Sequence, residues 1–241
     1  MHLIVNSTFL FDVFKLMVYI ACGYLAFSTY ARRAQTPWLL ALATQRFAIL
    51  TLLTLLVVGI KVFEDVIAKE SGPVDEIILW FVRQNVSPAL LGFFTIVTLS
   101  GAGIFLAPLT AVLSSLLFLS QHRREAVLLT ASMVSAWALT YTLKALVDRA
   151  RPELWSTSWY WGASFPSGHT LSTAAFATAL ALGASRIWPR SGSAALPLAA
   201  VWIGLVGLSR LVLGVHWPTD VLAAICLGVF IPLAISMVLD L

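Results

Sequence analysis

Charge is what this sequence has least of. Its 241 residues include only 15 Lys and Arg and 11 Asp and Glu, 11% in all, against 60% hydrophobic residues. A soluble domain carries about 25% charged residues. The deficit is too large for a water-facing exterior, so most of the surface is expected to face lipid. Cysteine is scarce as well. Cys22 and Cys226 both lie inside apolar runs, where free cysteine behaves as a small hydrophobe, and no disulfide is expected between them. The first ten residues contain no Lys or Arg and no small-residue cleavage site follows, so no signal peptide is expected and the first apolar run is expected to be kept as a helix. No internal repeat, linker or composition shift divides the chain, so a single membrane domain over 1–241 is expected. The net charge of +4 points to nucleic acid on paper. The basic residues are scattered between apolar spans, however, where they act as topology signals, and no nucleic-acid partner is expected.

What is present is a series of long apolar runs. A membrane-crossing helix needs about 20 mainly apolar residues. Spans are read at roughly 11–30, 46–63, 90–119, 126–147, 169–188, 196–215 and 220–240. Asp12 and Lys15 interrupt the first, which leaves six or seven spans in an all-α, polytopic transmembrane bundle. The third is long enough to tilt or to bend at Pro108. Between the second and third, Glu64 to Ser87 mixes a Ser71-Gly72-Pro73 turn with Asp75, Glu76, Ile77, Ile78, Trp80 and Phe81, the pattern of a short amphipathic helix on the bilayer surface.

Three polar islands interrupt this apolar background, each where a span begins or ends. The first holds Lys144, Arg151 and Pro152. The second is Pro166-Ser167-Gly168-His169, and the third holds Ser209, Arg210, His216 and Asp220. Lys144 ends the fourth span, His169 opens the fifth, Arg210 lies near the end of the sixth and Asp220 opens the seventh. Successive helices alternate direction, so all three islands emerge on one face. Arg32, Arg33, Arg46, Arg123, Arg124, Arg186 and Arg190 fall on the opposite face. With the site cations set aside, that bias puts the N-terminus and the islands outside and the C-terminus in the cytoplasm.

Each island alone has an ordinary reading: snorkelling cations, a serine helix cap, an aspartate cap beside an interfacial histidine. On one face they suit the gripping of a phosphate and its attack by an imidazole. Arg151 offers a planar fork for two phosphate oxygens and Lys144 a point charge. Ser167 and Gly168 open a helix whose free N–H groups form an anion seat, and His169 on its first turn is placed to pass a proton to a leaving oxygen. His216 and Asp220 are four apart, so one helical turn sets carboxylate beside imidazole, fixing the tautomer and leaving Nε2 as nucleophile. Charged groups near membrane depth are costly, which marks them as functional candidates.

Lys144-Ala-Leu-Val-Asp-Arg-Ala-Arg151-Pro152, then Pro166-Ser-Gly-His169, then Ser209-Arg210 with five residues before His216 and Asp220, resemble the three signatures of the type 2 phosphatidic acid phosphatase (PAP2) family. The resemblance covers roughly 144–220 and implies a catalytic core over about 88–241. It implies hydrolysis of a phosphate or pyrophosphate headgroup on a membrane lipid, with no metal and no other cofactor. Carried onto this sequence, His216 attacks phosphorus to form a phosphohistidine, Asp220 orients it, and His169 protonates the leaving group and then helps activate water. Lys144, Arg151, Ser167, Gly168 and Arg210 hold the phosphoryl oxygens, with Arg149 and Asp148 as supporting residues. Undecaprenyl pyrophosphate or phosphatidylglycerophosphate at the outer face of a bacterial inner membrane is the expected substrate, followed by lipid A 1-phosphate. A phosphotransferase is the alternative within enzymes. A lipid transporter or flippase is the alternative outside them, disfavoured because the charges sit at span ends and no repeat is visible. The sequence leaves the oligomeric state open.

Overall fold

The computed structural model describes residues 2–34, 36–157 and 162–241. Ten α-helices follow one another: α1 His2–Ala34, α2 Pro37–Thr44, α3 Arg46–Ile67, α4 Gly72–Asn85, α5 Leu91–Ser100, α6 Gly103–Leu119, α7 Arg123–Val147, α8 Gly168–Ile187, α9 Gly192–Val212 and α10 Pro218–Leu239. Short 3-10 turns at Pro88–Leu90 and Pro189–Ser191 join α4 to α5 and α8 to α9. There is no strand among the described residues.

Among the described residues five helices are long and apolar enough to cross a membrane: α1 from Phe11, α3, α7, α9 and α10. Helix α4 and the segment Pro88–Ser100 make a sixth candidate only as a pair bent by 95°. Helix α8 has the length of a span, 20 residues or about 30 Å, without matching apolarity. Its surroundings explain why. It packs against α7, α9, α10 and α6, and twelve of its residues, Thr170 to Ala179 with Ala181 and Gly183, are buried. A helix whose neighbours are protein instead of lipid can carry Thr and Ser at no hydropathic cost.

Lipid tails are as apolar as leucine, so helices in a membrane associate through close packing of small residues more than through hydrophobicity. Ala174, Ala175, Ala177, Ala179 and Ala181 supply those on α8. The crossing with α10 is closest at Gly228, where a Cβ would lie 2.5 Å from the Ala174 Cβ and 2.7 Å from the Leu171 carbonyl oxygen. Leu106, Leu128, Leu129, Met133, Leu171 and Phe176 fill the space among α6, α7 and α8.

The span expected over 90–119 is not one helix. It breaks at Gly101 and Ala102, and Pro108 lies within α6 without ending it. Packing dictates the position: a Cβ on Gly101 would come 2.6 Å from Thr173 Oγ1 and 2.8 Å from Val206 Cγ1, so the chain turns where its backbone meets α8 and α9. The amphipathic stretch after α3 forms α4, which buries Asp75, Leu79 and Val82 along one face, four and three residues apart.

Candidate active site

Four helix ends meet at one end of the bundle. Helix α7 stops at Asp148, whose backbone is left-handed (φ 43°) and whose N–H bonds to the Lys144 carbonyl. The Pro152 ring then blocks further helix. Helix α8 starts after Ser167, which is extended and fully buried; its hydroxyl pairs with Thr170 Oγ1 at 3.0 Å and its N–H donates to the Asp220 carbonyl at 3.2 Å. Helix α9 ends in a turn through Gly214 at φ 67°. Helix α10 begins with Pro218 as its first residue, where a missing N–H costs nothing. Side chains from all three islands therefore converge, although they are as many as 76 positions apart in sequence between Lys144 and Asp220.

His216 lies at the centre and is 2% exposed. Arg151 Nη1 sits 3.2 Å from its Nε2. A guanidinium has donors and no acceptor, so this contact requires a lone pair on Nε2 and places the ring proton on Nδ1. Nδ1 faces Asp220 Oδ2 at 3.4 Å and Ser164 Oγ at 3.4 Å. Burial pushes the His216 imidazole down to about 4; Asp220 opposes this, while Arg210 and Arg151 add to it. The ring is therefore neutral at pH 7, with its free pair pointing at Arg151.

Asp220 is fully buried and saturated with donors. Oδ2 accepts the Ser164 hydroxyl and, at 2.9 Å, the Trp217 N–H, which is also a helix cap; Oδ1 accepts Arg149 Nη1 at 2.7 Å. Arg149 is a fork between two carboxylates. Its Nη1 also reaches Thr219 Oγ1 at 2.8 Å, while Nη2 donates to Asp75 Oδ2 at 2.7 Å and to Ser71 Oγ at 3.0 Å. The Trp217 ring lies against its guanidinium, 5.4 Å away.

The other cations surround this centre. Lys144 Nζ donates to the Ala163 carbonyl. Arg151 also donates to Val215 O at 2.8 Å and to Gly162 O at 3.0 Å, which ties the loop before α8 to the turn before α10. Arg210 is 1% exposed, and its Nη1 is held by Thr98 Oγ1 of α5 at 2.5 Å. His169, half-buried, lines a cavity of about 460 Å³ with Lys144, Gly168, Trp137, Tyr141 and Ala107. Three polar supports escaped the sequence reading: Ser164, Thr98 and Asp75. They lie outside the three islands, and only their partners in space reveal them. Among the described residues no group of three or more His, Cys, Asp or Glu side chains has the geometry to hold a metal ion.

The sequence model of the PAP2 superfamily matches residues 125–240, which include every side chain of the three islands. The chain is 30% identical over 153 residues to phosphatidylglycerophosphatase B of Bacillus subtilis, an alignment covering 62% of this chain and 74% of that protein. It is 35% identical over 114 residues to decaprenylphosphoryl-5-phosphoribose phosphatase of Mycobacterium tuberculosis, covering 46% of this chain and 59% of that one. The crystal structure of a transmembrane PAP2-type phosphatidylglycerolphosphate phosphatase from Bacillus subtilis superposes with a TM-score of 0.66 at 26% identity, over 74% of this chain and 94% of that one.

Proposed function

The chain belongs to the PAP2 superfamily and is a multi-pass membrane phosphatase, and from that premise we propose that it removes phosphate from a lipid headgroup through a phosphohistidine on His216. The observation that carries this reading is the resting state of that ring: buried, neutral, with its proton on Nδ1 toward Asp220 and its Nε2 pair directed at the Arg151 guanidinium.

The roles follow from position. Phosphate oxygens replace the ring as partners of Arg151, with Lys144, Arg210, Ser167 and the Gly168 N–H at the start of α8 sharing their charge. Nε2 forms the P–N bond as the bond from phosphorus to the lipid oxygen breaks, and His169 gives that oxygen a proton. Asp220 holds Nδ1–H and offsets the charge on the phosphorylated ring. Water then attacks phosphorus, passing a proton to His169; the P–N bond breaks and its electron pair returns to Nε2. The phosphoryl transition state spreads charge over its equatorial oxygens, and fixed cations with a helix N-terminus can stabilise it without magnesium.

The substrate enters sideways. The cavity beside His169 is walled by Trp137, Tyr141, Ala107 and Gly103 of α6 and α7, which suits an apolar tail with its headgroup at the island residues. Phosphatidylglycerophosphate is the first candidate, because the Bacillus subtilis relative named for it aligns over most of its length. A polyprenyl substrate such as undecaprenyl pyrophosphate is the second, favoured by the mycobacterial relative. We place the protein in a bacterial inner membrane with the site facing outward, since Arg32 and Arg33 at the end of α1, Arg123 and Arg124 at the start of α7 and Arg186 at the end of α8 fall at the ends of these helices away from it.

The test is phosphate release from these lipids by detergent-purified protein, with EDTA throughout and a His216→Ala control. Release that survives EDTA and vanishes in the variant is expected. Full activity in His216→Ala would sink the phosphohistidine, loss in EDTA would sink the metal-free site, and phosphate appearing on an added lipid acceptor would move the chain to a transferase.

A further inference from the structure

We propose that Asp75, on α4 and outside all three islands, is a positioning residue for the reaction, acting on His216 through Arg149 and Asp220. The inference rests on the phosphohistidine reading and extends it to a helix with no part in the signatures.

Asp75 is a carboxylate with no exposed surface, on a helix whose sequence pattern marks it as a surface helix. Burying a charge is costly unless it is paired and hydrogen-bonded. Each oxygen is used. Oδ1 accepts the Thr219 N–H at 2.9 Å; Oδ2 accepts the Thr219 hydroxyl at 2.7 Å and Arg149 Nη2 at 2.7 Å. Asp75 thereby satisfies an N–H in the first turn of α10, one that the helix itself cannot satisfy, and it fixes one side of the Arg149 fork. The other side of that fork holds Asp220 Oδ1 at 2.7 Å, and Asp220 Oδ2 faces His216 Nδ1.

Two carboxylates sharing one guanidinium divide its charge. With Asp75 in place, Arg149 is drawn partly away from Asp220, which keeps more negative charge for the imidazole. Remove the Asp75 charge and the whole of Arg149 falls on Asp220. The carboxylate then supports the charged ring less well, and the Nδ1–H bond that fixes the tautomer weakens. The charged or titratable groups around His216 are Asp220, Arg151, Arg210 and His169, with Arg149 behind Asp220. Asp75 differs from them in acting from α4.

The experiment compares Asp75→Asn, Arg149→Lys and the double variant in detergent. Asparagine keeps the oxygen that caps Thr219 but loses the charge; lysine keeps a charge but cannot span two carboxylates, so Asp220 is no longer held in place from Asp75. Each single variant is expected to lower kcat about 10- to 100-fold, by analogy with the loss of outer partners that orient metal-bound histidines, with KM changed less than threefold. The double variant should lose no more than the worse single one, because both act along one path. Nitrogen-15 histidine spectra give a second readout that needs no turnover. The chain has four histidines, and His216→Ala identifies the signal. Wild type should show one Nδ1–H tautomer for His216, and Asp75→Asn a mixture. An unchanged tautomer with wild-type kcat overturns the proposal, as do losses in the two variants that multiply. If wild type releases no phosphate while Asp75→Asn still shifts the tautomer, the phosphatase reading fails and the coupling of Asp75 to His216 stands. Should Asp75→Asn not fold, Arg149→Lys carries the same spectroscopic test.

Discussion

Arg151 Nη1 donates to His216 Nε2 across 3.2 Å, so the proposed attacking atom is engaged before any lipid arrives. The guanidinium is itself anchored on Val215 O and Gly162 O, and it has little room to swing away. In the proposed reaction a phosphoryl group entering this gap takes the Arg151 donor onto an oxygen, which releases the Nε2 pair as phosphorus comes into reach. Binding and unmasking are one event.

Arg151→Lys tests this. Lysine retains the charge but not the fork that spans a carbonyl and the ring. We expect kcat to fall about 100-fold, the scale of losing one well-placed donor to a transition-state oxyanion. Phosphate release at saturating lipid measures it, and a drop of less than about threefold would mean that Arg151 is not aimed at the reacting group.

The burial of His216 has a signature in stability. In the unfolded chain a histidine takes up its proton near 6.5; here it does so only at about 4. Between those values the unfolded state holds more protons, so stability rises with pH across that window and this contribution is flat above it. The unfolding midpoint followed from pH 4.5 to 7.5 should climb and level off, and His216→Gln should remove part of the slope. An equal slope in the variant would assign the acid sensitivity to other groups.

Gly228→Ala places a methyl group 2.5 Å from the Ala174 Cβ and 2.7 Å from a backbone carbonyl, and neither can yield without moving α8. Overpacking of this kind costs about 1–3 kcal/mol. The start of α8 carries Ser167, Gly168 and His169, so a shift of that helix should lower kcat together with the thermal midpoint. Loss of midpoint with intact turnover would show that α8 relaxes away from the site.

Ala107→Trp would fill the cavity walled by Trp137 and Tyr141. KM for a long-chain lipid phosphate should rise at least tenfold, while a dihexanoyl analogue is affected less than threefold. Equal effects on both would mean that the tail runs elsewhere, with the apolar groove between Phe63, Leu143 and Phe165 as its course.

Much of the site could be read from the sequence because its parts sit at helix ends. A polar residue at the end of an apolar run is conspicuous, and alternation of direction fixes which ends share a face. Lys144, Arg151, Ser167, His169, Arg210, His216 and Asp220 are singled out this way, and the structure brings them to one end of the bundle. Thr98, Ser164 and Asp75 are not. Threonine bonding within a membrane helix is commonplace, and Thr98 gains meaning only from Arg210, 112 positions away. Asp75 stands among other acidic residues of an amphipathic stretch, and nothing local marks it as the buried one. The break at Gly101 was missed for a related reason: what forbids a side chain there is Thr173 and Val206, which no local pattern reveals.

The enclosure of α8 has a cartographic consequence. A map drawn with a strict apolarity threshold passes over this helix, since it is largely enclosed by other helices and needs little grease. Skipping one crossing inverts the side assigned to everything beyond it. Arg186 and Arg190 would change places with His216 and Asp220, and the proposed catalytic turn would be drawn on the opposite surface of the membrane. Reporter fusions after Trp188 and after Leu241 should give the same sidedness, because α9 and α10 form a return pair. The helix least suited to lipid is the one that decides which compartment receives the phosphate.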